Sequence, residues 1–257
     1  MDKAFIRIVF FVFFMVLFMT IQKFFPRRAQ SPYLKDYKRE ASNIIIIFLN
    51  SLLVRFLIPI LPIGMAMICI ERGIGILNLF NFNDYIEIIT AVIFLDIVIY
   101  WQHRLFHRVD ILWKLHKMHH FDPEITTSTG LRFHPFEIMI SIGIKLLAVI
   151  VIGASPLAVL IFEILLNVTA MFNHSNINIP IKVDRMLRKV LITPDVHRIH
   201  HSVYRDEMNA NFGFSVVYWD IIFKTFINQP KDGHLNMRIG LVGSPEEKIY
   251  FPKMLWL

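Results

Sequence analysis

Five of the eleven histidines in this 257-residue chain lie in one short stretch, from His103 to His120. If the stretch is helical, His103 and His107 share a face because they are four residues apart. His116 shares a face with His119 and His120 for the same reason. Successive residues turn by about 100° around a helix, so the rings of the two adjacent histidines point in different directions. Such a trio can offer one ring to one metal ion and another ring to a second.

A second trio with the same spacing lies far downstream, and two single histidines lie between the clusters. The ten histidines that we predict to be metal ligands are His103, His107, His116, His119, His120, His134, His174, His197, His200 and His201. A tetrahedral zinc ion takes four ligands, so ten imidazoles suit two metal ions held close together. Three imidazoles within one helical turn repel one another when protonated, which argues against ordinary surface histidines. The eleventh histidine, His234, lies beside Asp232 and Gly233, and we expect it in a surface loop.

Some of these residues also have a simpler structural explanation. Proline is favoured at the first position of a helix and acidic residues suit the first turn. His134 and Glu137, which flank Pro135, could therefore merely begin a helix. Other polar residues near the clusters could orient the ligand rings from behind, or could cap helices. The residues that we predict for this orienting role are Asp96, Glu137, Asn173, Asp195 and Asn211.

The composition predicts an integral membrane protein. Hydrophobic residues make up 55% of the chain and the mean hydropathy is +0.53, whereas an average soluble domain is roughly 45–50% apolar. The single cysteine, Cys69, lies in an apolar run, which excludes a disulfide framework within the chain and a cysteine metal site. The predicted ligands are therefore imidazoles, which suit zinc, iron, copper and nickel alike.

Long apolar runs predict about four to five membrane-spanning helices, because roughly 20 apolar residues cross a bilayer. The predicted spans are residues 5–21, 43–70, 85–101, 136–152 and 156–172. A cleaved signal peptide is the alternative for the first run, since Lys3 precedes it. No small-residue cleavage site follows, however, and we favour a retained helix. Pro59 and Pro62 should kink the second span, because proline removes a backbone hydrogen bond.

Positive charge predicts which side of the membrane each loop occupies. Residues 23–40 carry six basic side chains and residues 104–132 carry five, whereas residues 71–84 carry only Arg72. The positive-inside rule therefore places the first two segments in the cytoplasm and the third outside.

The remaining chain should return to the same side. An uncharged turn at 153–156 makes the last two spans a hairpin, which brings His174 back to the cytoplasmic face. Residues 176–257 are basic and of mixed polarity, so we expect them in the cytoplasm, with a helix at 212–227. Charge and hydropathy together therefore predict that all ten candidate ligands meet at one membrane face.

This predicted location favours redox chemistry over hydrolysis. A metal pair beneath apolar helices faces the hydrocarbon of lipids. Attack on an unactivated C–H bond needs a redox metal and oxygen, with the substrate chain held in an apolar slot. Hydrolysis does not require such an arrangement.

The pattern resembles the fatty acid hydroxylase/sterol desaturase superfamily of integral membrane non-haem di-iron enzymes. The resemblance covers roughly residues 96–240, and two segments after the last cluster also look like the family, Ala210-Asn-Phe-Gly213 and Trp219-Asp220. The motifs that carry it are His103-x-x-x-His107, His116-x-x-His119-His120, His134-Pro-x-Glu137, Asn173-His174-Ser175 and His197-x-x-His200-His201-Ser202.

The resemblance implies an all-α, multi-pass membrane fold with a cytoplasmic, histidine-rich helical cap that holds two metal ions. We predict an N-terminal transmembrane region at 1–90, a fatty acid hydroxylase-like catalytic domain at 91–240 and a C-terminal tail at 241–257. The resemblance also implies two iron ions, molecular oxygen as co-substrate, and hydroxylation or desaturation of a sterol, fatty acyl or ether lipid. The His-Pro-x-Glu and His-Ser motifs look more like the sterol desaturase and alkylglycerol branches than the fatty-acyl desaturases.

The electrons must come from elsewhere, since the chain has no His-Pro-Gly-Gly motif of a fused cytochrome b5 domain. The resemblance implies a protein donor of the cytochrome b5 or ferredoxin type, or a reduced pterin, and it implies no nucleic acid partner. Basic residues of the cap would steer an acidic donor, although the same charges could anchor anionic headgroups. These basic residues are Arg104, Arg108, Lys114, Lys117, Lys182, Arg185, Arg188 and Lys189.

Two other classes of function also fit the histidines. A membrane protein that buffers metal would bind metal without consuming oxygen, and a zinc-dependent hydrolase would work without oxygen. The sequence does not separate hydroxylation from desaturation or ether cleavage, and it does not name the lipid. The host membrane would be the cytoplasmic membrane of a prokaryote or the endoplasmic reticulum of a eukaryote.

Overall fold

A computed structural model describes residues 3–243 and 249–257, whose long helices form a bundle that carries a cap at one end. The long helices are α1 (Lys3–Phe24), α2 (Tyr37–Leu57), α3 (Pro62–Glu71), α4 (Asp84–Arg108), α5 (Asp110–His120), α6 (Pro135–Ile152) and α7 (Pro156–Asn173). The short helices of the cap are α8 (Ile181–Leu187), α9 (Pro194–His200), α10 (Arg205–Met208), α11 (Tyr218–Ile222) and α12 (Gly233–Asn236). Short 3₁₀ turns lie at Pro32–Lys35, Ile76–Leu79, Thr129–Leu131 and Lys253–Trp256. The described residues form no β-strand and only three isolated β-bridges, which confirms the predicted all-α class.

The first and last long helices run side by side towards the cap. Arg7 of α1 pairs with Glu163 of α7 at 2.6 Å, and further along both helices the rings of Phe18 and Phe172 lie 5.8 Å apart. Both contacts occur in the same order along the two helices, so α1 and α7 are parallel. The final turn of α1 then reaches the cap, where Gln22 accepts hydrogen bonds from a loop threonine.

The second pass is broken rather than merely kinked. α2 ends at Leu57 and α3 begins at Pro62, because Pro59 and Pro62 both remove backbone donors from the intervening turn. Asn50 of α2 donates a hydrogen bond of 2.8 Å to the carbonyl of Phe133, just before α6 begins. α3 continues along α6 towards its far end. Together α2 and α3 therefore carry the chain away from the cap.

The third pass returns to the cap through α4. At its first turn the carboxylate of Glu87 accepts hydrogen bonds from the backbone N–H and hydroxyl of Ser155, both at 2.8 Å, in the turn between α6 and α7. At its other end α4 delivers His103 and His107 into the cap. α6 then leaves the cap and α7 returns to it. As predicted, all the histidine motifs lie at the same end of the bundle.

Among the described residues, four helical segments are long and apolar enough to cross a membrane, so the chain is an integral membrane protein. They are Phe5–Phe24, Tyr37–Leu79, Pro135–Ile152 and Pro156–Asn173. α4, which we predicted as a further span, is not among them, and it carries the acidic Asp84, Glu87 and Asp96. The number of spans lies within the predicted four to five. The cytoplasmic orientation of the cap stays a prediction.

The predicted helix at 212–227 is wrong. Only α11 within it is helical, and the preceding residues form a tight loop in which Asn211 adopts a φ of +53°. The carboxylate of Asp220 accepts hydrogen bonds from the backbone N–H groups of Phe212 and Gly213, both at 2.8 Å. These side-chain bonds take backbone donors that a helix would have used. A Cβ on Gly213 would lie 2.7 Å from a backbone carbonyl oxygen, so the loop requires glycine there.

The C-terminal residues pack onto the cap. Met254 is fully buried against Ile46 of α2 and Met118 of α5. The predicted tail at 241–257 is therefore folded over 249–257, and its residues 244–248 lie outside the described residues.

Candidate metal centre

Nine of the ten predicted ligands converge into two groups inside the cap. The five-histidine group consists of His103, His107, His116, His120 and His200, and the four-histidine group consists of His119, His174, His197 and His201. Within each group, one ring nitrogen of every member lies within 4.8 Å of the others. All nine are buried except His107, which is partly exposed.

The two groups adjoin because each trio is divided between them. α5 gives His116 and His120 to the five-histidine group and His119 to the four-histidine group. The adjacent His200 and His201, at the end of α9, likewise point into different groups. Ring centroids of His116 and His119 lie 5.2 Å apart, and those of His120 and His201 lie 4.4 Å apart. The rotation between neighbouring residues thus produces the division that the spacing predicts.

The loop that precedes α11 fixes two rings of the five-histidine group. His103 donates its Nδ1–H to the carbonyl of Phe212 at 2.8 Å, and His200 donates its Nδ1–H to the carbonyl of Ala210 at 2.7 Å. A proton on Nδ1 leaves Nε2 as the atom with a free lone pair. Both Nε2 atoms are buried and have no hydrogen-bond partner within the described part of the chain. The backbone therefore orients both rings as ligands.

A carboxylate fixes a third ring. Glu137, in the first turn of α6, is buried, and its Oε1 lies 2.6 Å from Nδ1 of His116. A carboxylate that accepts the Nδ1–H of a ligating histidine sets the tautomer and raises the basicity of the ring. Of the five residues that we predicted to orient rings, Glu137 makes the direct contact.

The nitrogen atoms of the four-histidine group have an arrangement that fits a cation. His174 and His119 each donate Nδ1–H to a backbone carbonyl oxygen, at 2.7 and 3.3 Å. Their Nε2 atoms then both carry lone pairs, yet they lie 3.0 Å apart. Nε2 atoms of His197 and His201 lie 2.9 and 3.2 Å from that of His174. Lone pairs that face one another at this distance repel unless a positive ion lies between them, so this donor set fits a metal ion.

Burial keeps the rings neutral. Burial lowers the pKa of His174 and of His200 to about 3, with further lowering from neighbouring rings. Burial and nearby histidines also lower the pKa of His120 and His201 well below the usual value. Neutral imidazole is the form that binds a metal ion. At neutral pH these rings of both groups are therefore in the form that can bind a metal ion.

A buried ionic network holds the loop that follows α5. Asp122 accepts hydrogen bonds from Nη1 of Arg39 at 2.8 Å and from the hydroxyl of Thr129 at 2.7 Å. The guanidinium of Arg132 lies 3.7 Å from the same carboxylate. Burial alone would raise the pKa of Asp122, but the two arginines lower it overall. The network positions the Arg132 carbonyl, which accepts the Nδ1–H of His119.

His134 lies outside both groups, although we predicted it as a ligand. It is the N-cap of α6, and its Nδ1 accepts a hydrogen bond of 3.2 Å from the backbone N–H of Phe136. The Nδ1 lone pair of His134 is therefore used to cap the helix, because it accepts from a backbone N–H that has no partner within the helix. His134 therefore begins a helix, which is the simpler of the two explanations that the sequence allowed.

Two of the predicted orienting residues do not contact a ligand ring. Asp96 accepts a hydrogen bond of 2.7 Å from Nε1 of Trp219, which attaches α11 to α4. Asn173 donates to the carbonyl of Phe214 at 3.1 Å. Both bonds join α4 or α7 to the segment 213–219, so these side chains support the cap rather than a particular ring.

Three further side chains have no direct contact with the clustered rings: Asn211, Asp195 and His234. Asn211 donates to two backbone carbonyls at 2.9 Å and so holds the loop that orients two histidines. Asp195 pairs with Arg198 and, at 3.1 Å, with Arg27. The pair with Arg27 joins α9 to the segment after α1. The prediction of a surface loop for His234 is wrong, because the residue is 8% exposed and its Nδ1 lies 4.0 Å from Asp195.

Sequence reasoning missed the backbone carbonyls that accept ring protons, at residues 132, 170, 210 and 212. Every residue carries a carbonyl, so no residue type marks these positions. It also missed Asp122 and Asp220, whose carboxylates hold the loops that carry the carbonyls of residues 132, 210 and 212. The sequence indicated Asp220 only through the family resemblance. Nothing in the sequence indicated the three hydrogen bonds that its carboxylate accepts.

These features define a membrane-embedded helical protein with a buried all-histidine candidate metal centre. The fatty acid hydroxylase family profile matches residues 88–225, which is more than half of the chain. The chain therefore belongs to the fatty acid hydroxylase family.

Several characterised proteins are similar to this chain. The ornithine lipid hydroxylase OlsE of Rhizobium tropici is 29% identical over 160 residues, which cover 61% of this chain and 46% of that protein. The alkylglycerol monooxygenase of Homo sapiens is 32% identical over 53% of this chain and 30% of its own length. Methylsterol monooxygenase 2-2 of Arabidopsis thaliana is 24% identical over 64% of this chain and 63% of its own length. The match thus spans less than half of the first two relatives. No solved structure matches the chain.

Proposed function

We propose that this protein is an oxygen-dependent membrane lipid monooxygenase whose nine clustered histidines hold two iron ions. The observation that carries the proposal is the pair of adjoining, buried, all-histidine groups at the cap end of apolar helices. Imidazole ligands alone also admit zinc, copper or nickel. Attack on an unactivated C–H bond requires a redox metal, and relatives of this chain are named hydroxylases and monooxygenases. Iron with molecular oxygen is therefore the pair that we propose.

Bound iron would activate molecular oxygen and supply the oxidising power that breaks a C–H bond. The chain's own residues would hold the two ions in place. Backbone carbonyls at 210 and 212 accept ring protons of the five-histidine group, and Glu137 accepts that of His116, so their Nε2 atoms remain free. Backbone carbonyls at 132 and 170 do the same for the four-histidine group. Rings fixed from behind lose little freedom when a metal binds.

The surroundings of the rings would exclude water from the reaction. Phe133 stacks on His119 with ring centroids 4.5 Å apart, and Phe212 lies 5.2 Å from His107. Removal of water from the site would prevent side reactions. His107, the one partly exposed ligand, lies 5.1 Å from the ring of Trp113 at the corner between α4 and α5.

We propose a membrane lipid with a long alkyl chain as the substrate. Ornithine lipid and alkylglycerol, which appear in the names of relatives, are both amphipathic molecules with such chains. The alkyl chain would enter from between the apolar helices, and the polar head would remain near the cap. Oxygen insertion is favoured over desaturation because the relatives' names describe hydroxylation and monooxygenation.

Insertion of one oxygen atom leaves a second atom to be reduced to water, which takes two external electrons. We propose an external donor on the cap, whose side would be cytoplasmic: a cytochrome b5 or ferredoxin type of protein, or a reduced pterin. The exposed Arg108 and Lys114 flank the corner near Trp113, so an acidic protein would be attracted there. Arg188, which we expected at a docking surface, is buried and paired with Asp184.

Comparative lipidomics under ¹⁸O₂ tests the proposed function. Cells that express the protein should accumulate a lipid that is heavier by one ¹⁸O atom, and cells with the His200→Ala variant should not. The matched control is His134→Ala, a histidine outside both groups, which should retain the product. A loss of two hydrogens without label would instead indicate desaturation.

The two alternatives give different results with purified protein. A metal buffer would bind metal and consume no oxygen with any lipid extract. A zinc hydrolase would turn over without oxygen and would lose activity when zinc is removed. Either result would overturn the proposed oxygenase.

A further inference from the structure

A groove of 660 Å³ lies on the cap between α8 and the segment 221–229, which begins in α11. Its basic lining residues are Arg185, Arg188 and Lys189, and its apolar lining residues are Ile181, Ile221 and Phe226. None of the nine clustered histidines lines it. The groove is therefore separate from the candidate metal centre.

One arginine of the groove is built into the fold. Arg188 is 7% exposed, pairs with Asp184, and donates from Nη1 to the backbone carbonyl and side chain of Asn228 at 3.0 and 2.9 Å. Asp184 is thereby occupied by Arg188. Arg185 and Lys189 are exposed, and no described carboxylate lies within 4.0 Å of either. The groove therefore presents positive charge that the described chain does not neutralise.

The surface around these charges is apolar. Met186 of α8 is 63% exposed, Val190 just after α8 is 45% exposed, and Ile222 of α11 is 60% exposed. Both helices border the same groove, which Ile181 and Ile221 line. Exposed apolar side chains on both sides of one groove are typical of a surface that contacts a protein or a membrane. The basic side chains have apolar stems, which can lie along such a surface while their charged ends reach out of it.

α11 lies beside the cap ends of α4 and α7. Phe223, directly after α11, lies 5.3 Å from the ring of Tyr100 and 4.8 Å from that of Trp101. The segment that leads to α11 is also held at the end of α7, because the carbonyl of Phe214 accepts a hydrogen bond of 3.1 Å from Asn173, the last residue of the candidate span Pro156–Asn173. The residues after α8 are joined to the residue before α11, since the backbone N–H of Val217 donates to the carbonyl of Val190 at 2.9 Å. The groove is therefore attached to the cap end of a helix that is long and apolar enough to cross a membrane, which is where lipid headgroups would lie.

We propose that this groove binds the phosphate of an anionic phospholipid, with the acyl chains of that lipid lying over the exposed apolar residues of α8 and α11. Arg185 and Lys189 supply the positive charge, and Arg188 fixes the floor of the groove. A soluble acidic protein would find the same charges but would leave the apolar rim exposed to water. The lipid satisfies both features, because it carries a negative headgroup beside hydrocarbon. This lipid site does not depend on the proposed oxygenase activity.

Native mass spectrometry of the full-length, delipidated protein in detergent tests the proposal. The probes are dioleoyl phosphatidylglycerol and dioleoyl phosphatidylcholine, added over a range of concentrations. The wild type should bind one phosphatidylglycerol saturably and more tightly than phosphatidylcholine. The double variant Arg185→Gln/Lys189→Gln should bind it about 25-fold more weakly, since each basic side chain near an anionic surface contributes about 1 kcal/mol.

The matched control is Lys35→Gln/Lys38→Gln, which removes the same charge from exposed cap positions outside the groove. It should bind phosphatidylglycerol within twofold of the wild type. A thermal midpoint equal to that of the wild type in both double variants verifies that each is folded. Unchanged phosphatidylglycerol binding in the Arg185→Gln/Lys189→Gln variant, or equal binding of phosphatidylcholine by the wild type, would overturn the proposal.

Two further arms separate the lipid from other occupants. Millimolar inorganic phosphate should not displace phosphatidylglycerol, because it lacks the acyl chains that cover the apolar rim; full displacement would mean a site for free phosphate. The acidic soluble domain of a cytochrome b5 should bind the wild type and the groove variant equally. If the variant loses that protein and keeps the lipid, the groove is a protein-docking site and the lipid proposal is wrong.

Discussion

Replacement of Glu137 by glutamine should weaken metal binding at one group and leave the other intact. The Glu137 carboxylate is 4% exposed and lies 2.6 Å from Nδ1 of His116, in the five-histidine group. Loss of such an outer partner typically costs 10–100-fold in metal affinity, which corresponds to about 1.4–2.7 kcal/mol. Glutamine can still accept the ring proton but carries no charge, so we expect about tenfold for Glu137→Gln. Alanine removes the acceptor as well, so we expect about 100-fold for Glu137→Ala.

Anaerobic equilibrium dialysis of the apoprotein against ferrous iron measures this effect, with bound iron counted by atomic emission. The binding curve should contain two steps, and only one step should shift in Glu137→Gln. The matched control is Asp96→Asn, a buried carboxylate that contacts Trp219 and no ligand ring. Its two binding steps should remain within twofold of the wild type. If Glu137→Gln binds like the wild type, or if Asp96→Asn weakens binding as much, the orienting role of Glu137 is refuted.

Three other outcomes follow from the structure. Asp220→Ala leaves two buried backbone N–H groups without an acceptor, so chemical unfolding should show a loss of roughly 2–6 kcal/mol; a loss below about 1 kcal/mol would contradict this role. Because burial lowers the pKa of His174 and His200 to about 3, the unfolded apoprotein binds more protons than the folded one below about pH 6.5. Its stability should therefore fall by about 1.4 kcal/mol per pH unit for each ring as the pH drops from 6.5 towards 3; thermal melts at pH 7.5, 6.5 and 5.5 measure this, and a flat or opposite trend contradicts it. His234→Ala should lower the thermal midpoint, because the residue is buried, but should leave the bound iron per chain unchanged; a loss of iron would contradict its placement outside the metal centre.

The general plan of the molecule was predictable because charge and hydropathy constrain it strongly. Apolar runs too long for a soluble protein must cross a membrane, and the short uncharged turn before Pro156 forces two of them into a hairpin. The division of each histidine trio between two groups was also predictable, since neighbouring residues on a helix differ in direction by about 100°. His200 and His201 illustrate this directly, because they belong to different groups.

Other features depend on contacts that leave no mark in residue type. The carbonyls of Ala210 and Phe212 orient two rings, yet any residue could supply a carbonyl. Part of a predicted helix is instead a loop, because the side chain of Asp220, eight and seven residues further on, accepts hydrogen bonds from the backbone N–H groups of Phe212 and Gly213. His134 could be placed either as a ligand or as a helix cap, and only the geometry of α6 separates the two.

The central claim is that two metal ions bind each chain, one in each histidine group. The most direct measurement is the iron content of the purified protein after anaerobic loading, compared between His200→Ala and His201→Ala. These adjacent residues belong to the five-histidine and four-histidine groups, respectively. We expect two iron ions per chain in the wild type, a preferential loss of one ion in each variant, and two weakened ions in the double variant. A wild-type content of one ion, or two ions retained with full affinity in both single variants, would contradict the account.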